Sequence, residues 1–282
     1  MGVPNTPEPL VSVIVPTRNS EQFLGRCLLS IRDQTYRNIE IVVVDNFSID
    51  GTISVAEHYA DTIIQAGPER SAQVNMGVRH SKGTYVYRVD SDFVLQSTVI
   101  SECVELASHG FGAIVVHNSP DTSFGWLSKV RKFETDMYKY SLDHSAARFL
   151  DRDIFLKIGG YREDITAGED YDLQIRLNEA KVVTGFITPE AIHLGEPRSM
   201  FEVIAKNFMY GKDFTKYVRY NKDVSNVQLA FLRKEFVVHW MSFVLQPWLA
   251  LNFIVYYLLK FIAGGFGFIL SKLTQALSSW SS

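Results

Sequence analysis

Cysteine is scarce, with two residues in 282, Cys27 and Cys103. No CxxC pair or Cys/His cluster offers a zinc site, and two thiols make no disulfide framework of the kind that staples secreted domains. Each lies on an apolar stripe at helical spacing, Leu24–Cys27–Leu28–Ile31 and Ile100–Cys103–Val104–Ala107, so both are expected in the core. Charge of one sign is also lacking. A formal net charge of −3 and a pI near 6.2 exclude the broad basic field that nucleic acid attracts. The opening MGVPNTPEPL holds no apolar signal-peptide core and is expected to be a lead-in over residues 1–10. Gly2 follows Met1, but Pro4 makes a poor myristoylation context. After the first strand-like run stands PTRNSEQ, with neither the glycines nor the lysine of a phosphate loop, which argues against a nucleotidyltransferase.

What is present alternates. β-branched runs at Val11–Val15, Ile39–Val44, Asp61–Gln65, Thr84–Val89 and Gly112–Val116 predict strands. Between them, helical spacing is expected over Glu21–Gln34, Thr52–Tyr59 and Ser71–His80, with Ser97 capping a further helix that stops near Gly110. Strands and helices in this order imply βαβ units and a largely parallel sheet. The rhythm loosens beyond residue 120. A helix is expected around Phe124–Tyr140, a strand-like RFL at Arg148–Leu150, and the run Ile154–Leu156 leads into the turn Gly159–Gly160. Gly168-Glu169-Asp170 opens a helix to about Ala180, Val182–Ile187 reads as a last strand, and Ser199–Tyr220 as a helix.

The polar turns PTRN, DNFSIDGT and DSD follow the first, second and fourth strand signals, which places them together where α/β sheets collect ligands, outside the carboxyl ends of the strands. Asp90-Ser91-Asp92 is the most informative of them. Two like charges ending an apolar strand repel one another, yet they suit a hard divalent cation that takes oxygen ligands and keeps positions open for phosphate.

The run VSVIVPTRNSEQFLGRCLLSIRDQTYRNIEIVVVDNFSIDGT, followed by DSD and GED, resembles the family 2 glycosyltransferases of the GT-A fold, over roughly Val11 to Phe186. The resemblance implies an α/β fold with a mainly parallel, Rossmann-like sheet flanked by helices. It implies that Pro16, Thr17 and Asn19 line a nucleotide turn, and that Asp45 accepts a hydrogen bond from a base or ribose. Asp50, with Gly51 and Thr52, is either a helix cap or part of the donor site, and Arg70 is either the family's basic residue near the nucleotide or a surface arginine. Asp90 and Asp92 are implied to hold Mn²⁺ or Mg²⁺ against the donor diphosphate. Where the family often adds another acid, this chain has Phe93. Glu169 and Asp170 match the E-D motif, in which the aspartate takes the proton of an acceptor hydroxyl and the glutamate orients the site; Asp172 is given no role. His193 is either a third metal ligand or an idle loop histidine, and Arg198, Lys206 and Lys212 stand as candidates for phosphate or acceptor. The Q-x-x-R-W signature of processive members is absent after GED, which argues against a polymerising synthase.

From Phe236 to Leu270 the chain is almost uninterruptedly apolar. A stretch of 18 or more apolar residues is a membrane candidate, and Phe236–Leu258 has that length, interrupted by His239, Gln246 and Pro247. Pro247 is expected to break or kink a helix there. Trp240, Trp248, Tyr256 and Tyr257 are aromatics of the kind that favour the bilayer interface. Either a kinked pair of membrane helices or helices lying in the interface fits; a soluble core pair is the bland alternative. Lys206, Lys212, Lys216, Arg219, Lys222, Arg233 and Lys234 would face anionic headgroups, which places the catalytic domain on the cytoplasmic side of the cell membrane.

The expected organisation is a lead-in over 1–10, a GT-A domain over 11–225 and a helical membrane-associated region over 226–282. The expected function is metal-dependent, inverting transfer from a nucleotide sugar to a hydroxyl of a lipid-linked, polyprenyl-type saccharide, with no nucleic acid involved. A transferase acting on polyprenyl phosphate and a non-catalytic membrane scaffold remain as alternatives.

Overall fold

A computed structural model describes residues 8–222 and 228–280. Most of the lead-in, Gly2 included, and the boundary expected between 225 and 226 therefore lie outside the described residues. The chain forms two compact units. One takes in the chain up to His117 with Ala147–Tyr161 and Arg176–Ala191; the other takes in Asn118–Ala146, Arg162–Ile175 and the chain from Ile192 on.

The first unit is built on an eight-stranded sheet in the order β3-β2-β1-β4-β7-β6-β8-β5. Its strands are β1 (Val11–Thr17), β2 (Ile39–Asp45), β3 (Thr62–Gln65), β4 (Tyr85–Arg88), β5 (Phe93–Leu95), β6 (Ala113–Pro120), β7 (Phe149–Asp151) and β8 (Thr184–His193). β1 pairs in parallel with β2 and β4, and β2 with β3. All seven residues of β1 are buried, because helices cover both faces of this part of the sheet, and a near-continuous Val/Ile run is what such a strand needs. β7 runs antiparallel to both β4 and β6, so the sheet is mixed. A short strand opposed to its neighbours lies below what alternating strand and helix signals convey.

The helices of this unit are α1 (Glu21–Arg32), α2 (Thr52–Glu57), α3 (Arg70–His80), α4 (Val99–Ser108) and α6 (Arg152–Lys157). α1 buries Leu24, Cys27, Leu28 and Ile31, the stripe read from the sequence. Both cysteines are free and fully buried, and burial pushes both thiols well up. α3 packs so closely on the sheet that a Cβ at Gly77 would meet Ile14 Cγ2 at 2.5 Å. α4 is entered through Thr98 rather than Ser97. The run Ile154–Leu156 is helical, inside α6, because the Asp151 side chain caps it by accepting from Asp153 N–H (2.9 Å) and Ile154 N–H (3.0 Å).

The second unit is mainly helical, with α5 (Trp126–Met137), the start of α7 (Glu169–Glu179), α8 (Met200–Tyr220), α9 (Lys234–Val238), α10 (Trp240–Leu245) and α11 (Pro247–Trp280). Leu127, Val130, Phe133 and Met137 of α5 share one core with Val203 of α8 and Ala250, Phe253, Tyr256 and Tyr257 of α11. Inside this unit Lys260 Nζ pairs with Glu134 at 2.7 and 2.9 Å. The interruption expected at Pro247 is found as a break between α10 and α11. Pro247 opens a 34-residue helix, where its missing N–H has no helical partner to lose, after Gln246 leaves helical geometry (φ −130°, ψ 61°).

Candidate active site

The carboxyl ends of β1, β2 and β4 place the three polar turns side by side. At the end of β1 the chain turns through Asn19, whose φ of 48° lies in the left-handed region that asparagine tolerates. Asn19 N–H donates to Ser48 Oγ (2.8 Å), and its Oδ1 accepts from Ile49 N–H (3.0 Å). Ser20 N–H donates to Thr52 Oγ1 (2.7 Å), and Ser91 Oγ to Ser20 Oγ (2.9 Å). The first turn is thus tied to both of the others. Gln73 of α3 closes the floor by donating to the carbonyls of Thr17 (2.9 Å) and Val44 (2.6 Å).

Together these elements form a cleft of about 450 Å³, the size of an ordinary small-molecule site. Of the residues singled out from the sequence, Pro16, Thr17, Asn19, Arg70, Asp90 and Asp92 line it. Asp45 does not. It is fully buried behind the first turn, accepting from Thr17 Oγ1 (3.0 Å) and Ser48 N–H (2.8 Å), and the next residue, Asn46, reaches the cleft. Direct contact between Asp45 and a nucleotide requires those Ser48 bonds to be exchanged. Asp50 also stays off the lining. Its carboxylate accepts from Thr52 N–H (3.1 Å) and Glu21 N–H (3.3 Å), which joins the starts of α1 and α2, and the Thr52 hydroxyl bond holds it below the usual carboxylate range.

Three arginines surround Asp90. Arg88 Nε lies 3.0 Å from Oδ1, and Arg148 Nη1 and Arg70 Nη1 lie 3.2 and 3.6 Å from Oδ2. Burial raises the carboxyl, but the guanidiniums outweigh it and hold Asp90 far below the usual carboxylate range. Arg88 stacks on Tyr161 (5.1 Å), and Arg148 on Phe93 (5.6 Å), the residue standing where the family often has an acid. The sequence reading missed Gln73, Arg88 and Arg148. Arg88 had a legible signal, since an arginine inside an apolar buried strand demands a carboxylate partner.

The two acids are therefore unlike. A further positive centre beside Asp90 meets three guanidiniums, and Asp92 is the second DSD carboxylate lining the cleft. Oxygen donors from one or two carboxylates, completed by water and phosphate, suit Mg²⁺ or Mn²⁺. The donor set fits a divalent cation held chiefly through Asp92.

The second unit carries the remaining candidates. Glu169 and Asp170 occupy the first turn of α7, where acids complement the helix dipole, and Glu169 is buried. Gly168, before them, is fixed by geometry: its φ is +86°, and a Cβ there would meet the Tyr217 and Phe214 rings at 2.9 and 3.0 Å. Asp172 is wholly buried, paired with Arg162 and accepting from Asn221 Nδ2 (3.0 Å). His193 Nδ1–H donates to buried Glu196, which is held in turn by Arg131 (2.6 Å). A carboxylate on one ring nitrogen is the support that metal-binding histidines use. Arg198 and Lys206 are exposed, stacked over Phe124 (5.9 Å) and Tyr210 (5.7 Å) respectively.

A mixed sheet with helices on its faces and an acidic cleft at the strand ends is the architecture of a GT-A glycosyltransferase. The profile of Glycosyl transferase family 2 matches residues 12–162, and the chain belongs to that family. The match includes Asp90-Ser91-Asp92 and ends before Glu169-Asp170. An uncharacterized glycosyltransferase of Rickettsia typhi is 28% identical over 194 residues, which cover 60% of this chain and 58% of the relative. Chondroitin synthase of Escherichia coli is 26% identical over 187 residues, covering 61% of this chain and 27% of the synthase. The matching segment thus spans less than two thirds of either relative. Among solved structures, the mannosyltransferase PcManGT of Pyrobaculum calidifontis, in complex with GDP-Man and Mn²⁺, superposes with a TM-score of 0.64 at 18% identity, covering 94% of this chain and 88% of that one. S. aureus TarS 1-349 in complex with UDP-GlcNAc gives 0.52 at 16%, covering 73% and 66%. These likenesses show the fold.

Proposed function

We propose that this glycosyltransferase inverts the anomeric centre of a nucleotide sugar and transfers the sugar to a hydroxyl of a lipid-linked, polyprenyl-type saccharide at the cytoplasmic membrane face. The observation that carries the donor reading is the cleft, where Pro16, Thr17, Asn19, Arg70 and Asp92 converge beside a caged Asp90. The nucleotide sugars bound by the two structural neighbours support it.

In this reading Arg70, from the start of α3, faces the donor diphosphate with a fixed positive charge. Arg88 and Arg148 keep Asp90 ionised and in place. Asp92, with His193 as a candidate further ligand, would hold Mn²⁺ or Mg²⁺, which when bound supplies Lewis-acid neutralisation of the departing diphosphate. Asp170 takes the proton of the acceptor hydroxyl as its oxygen attacks the anomeric carbon. The bond from that carbon to the diphosphate breaks, and the nucleoside diphosphate leaves with the bonding pair. Glu169 orients the site, and Arg198 and Lys206 are candidates for phosphate or acceptor. The membrane reading is supported by α11: among the described residues, Pro247–Gln275 has by length and composition alone the makings of a membrane helix, its most apolar 18-residue window having a mean hydropathy of 1.9.

Thermal denaturation with UDP or GDP, each with and without Mn²⁺, tests the donor site. A ligand at 100 times its Kd stabilises by about 2.7 kcal/mol, so one nucleotide together with metal should raise Tm by several degrees. No shift with either nucleotide at millimolar concentration contradicts the reading. Hydrolysis across a panel of nucleotide sugars then identifies the donor.

A further inference from the structure

α11 is apolar on two opposite faces. Ala250, Phe253, Tyr257 and Gly267 lie on the buried one, turned into the helical unit. Leu251, Val255, Leu258, Ile262, Phe266 and Ile269 recur at intervals of three or four residues on the other, and each is 40–65% exposed. Such spacing makes one continuous stripe along a helix. From Leu251 to Ile269 it is about 27 Å long at 1.5 Å per residue. Trp240 and Trp248, which begin α10 and follow Pro247, are 58% and 76% exposed.

The inner face decides how this helix can meet lipid. Crossing the hydrocarbon takes about 20 apolar residues, or roughly 30 Å. Lys260 interrupts the run, held by Glu134 of α5 in an ion pair whose carboxylate side chain is only 4% exposed. Between Pro247 and Lys260 there remain roughly 13 residues, about 20 Å of helix, which is too short. The second half lies hard against α8: a Cβ at Gly211 would meet the Gly264 carbonyl oxygen at 2.0 Å, and one at Gly267 the Phe208 oxygen at 2.1 Å. Along that contact α8 carries exposed Lys206, Asp213 and Lys216, with Arg219 a turn beyond. Charges in water along α8 cannot accompany α11 through hydrocarbon, and the backbone contact allows no separation of the two.

We infer that α11 lies in the plane of the membrane, its stripe from Leu251 to Ile269 pressed into one leaflet and its other face kept on the protein. The partner is an anionic lipid surface. The stripe supplies the apolar contact, and Lys206, Lys216 and Arg219 on the adjoining helix supply charge of the right sign. This rests on the membrane part of the proposed function and fixes its topology: the chain is held on one side of the bilayer, with no passage across it through α11.

Single-cysteine labelling tests the inference on the full chain, because Cys27 and Cys103 are buried and stay unlabelled in the folded protein. Leu251→Cys, Leu258→Cys and Ile269→Cys each replace an exposed side chain, so the fold is retained. Each carries an NBD probe, and vesicles contain 30% phosphatidylglycerol in phosphatidylcholine with quenchers at graded depth. The expected result is one shallow depth for all three labels, with binding weakened several-fold in pure phosphatidylcholine. Depths that change progressively from 251 to 269, with 258 near the bilayer centre, overturn the in-plane arrangement while leaving membrane association intact. Labels that remain in water, with the protein eluting as a dimer whose stripe is shielded, overturn the lipid partner in favour of a second copy. Nucleotide-dependent stabilisation is read separately and does not depend on either outcome.

Discussion

Replacing Asp90 by asparagine removes a negative charge that Arg88, Arg148 and Arg70 share. The three guanidiniums are unequally placed to respond. The Arg70 side chain is 46% exposed and can turn to water, and that of Arg148, 13% exposed, keeps its stack on Phe93. The Arg88 side chain is 2% exposed and cannot turn to water. Removing one partner of a buried ion pair costs about 3–5 kcal/mol. Asparagine retains one acceptor for Arg88, which favours the lower end, about 3 kcal/mol. At about 2–4 °C per kcal/mol, Tm should fall by roughly 6–12 °C. Asp92→Asn, at the cleft wall, should change Tm by only a degree or two while cutting turnover by orders of magnitude and weakening the response to Mn²⁺. Calorimetry on both variants, with Arg88→Gln and the double variant Arg88→Gln/Asp90→Asn, reads the contrast. The double should cost less than the sum of the singles by more than about 0.5 kcal/mol. An Asp90→Asn protein that melts with the wild type, or strict additivity, refutes the caged-carboxylate reasoning.

Asp170→Asn should lower turnover about 10²–10⁴-fold with donor affinity unchanged, measured by single-turnover kinetics beside nucleotide titration; near wild-type turnover strikes Asp170 as base and favours a polyprenyl phosphate acceptor, which attacks already ionised. Gly265, with nothing within 4 Å of an added Cβ, should gain about 0.5–1 kcal/mol as Gly265→Ala, whereas Gly211→Ala should lose about 1–3 kcal/mol, and urea unfolding that ranks them the other way contradicts the α8–α11 packing. Burial, aided by Arg233 and opposed by Glu235, pushes His144 from 6.5 down to about 4. The unfolded chain then binds the extra proton between those values, so stability is full above pH 6.5 and declines as pH falls towards 4; urea midpoints at pH 7 and pH 4.5 should differ more in the wild type than in His144→Asn, and equal differences count against the assignment.

The parallel half of the sheet was legible because β1 and β2 are largely buried and carry the Val/Ile runs VIV and IVVV. β5 was not. Its three residues follow Asp92 directly, too short to show a period, and it is held at the sheet edge by distant chain. β8 runs ten residues to His193, past the expected end at Ile187, because Thr188, Pro189 and Glu190 look like a turn locally and only sheet neighbours make them strand. Pro247 was expected to break or kink a helix, and the geometry of Gln246 selects the break. In the cleft, Pro16, Thr17, Asn19 and the acids of DSD were found from their place at strand ends. Arg148 was beyond reach, since its partner Asp90 lies 58 residues away and no local pattern links them.

The contact at Gly168 has a mechanical consequence. A glycine backbone wedged against two aromatic rings of α8 is a joint without slack, because close-packed interiors transmit displacement rather than absorb it. Phe214 and Tyr217 stand on the helix that also bears against α11, and Gly168 immediately precedes the turn that holds Glu169 and Asp170. A small rotation of α8 is therefore delivered to the carboxylates at the head of α7 with little loss, so that the seating of α8 against α11 and the position of Asp170 become one mechanical variable.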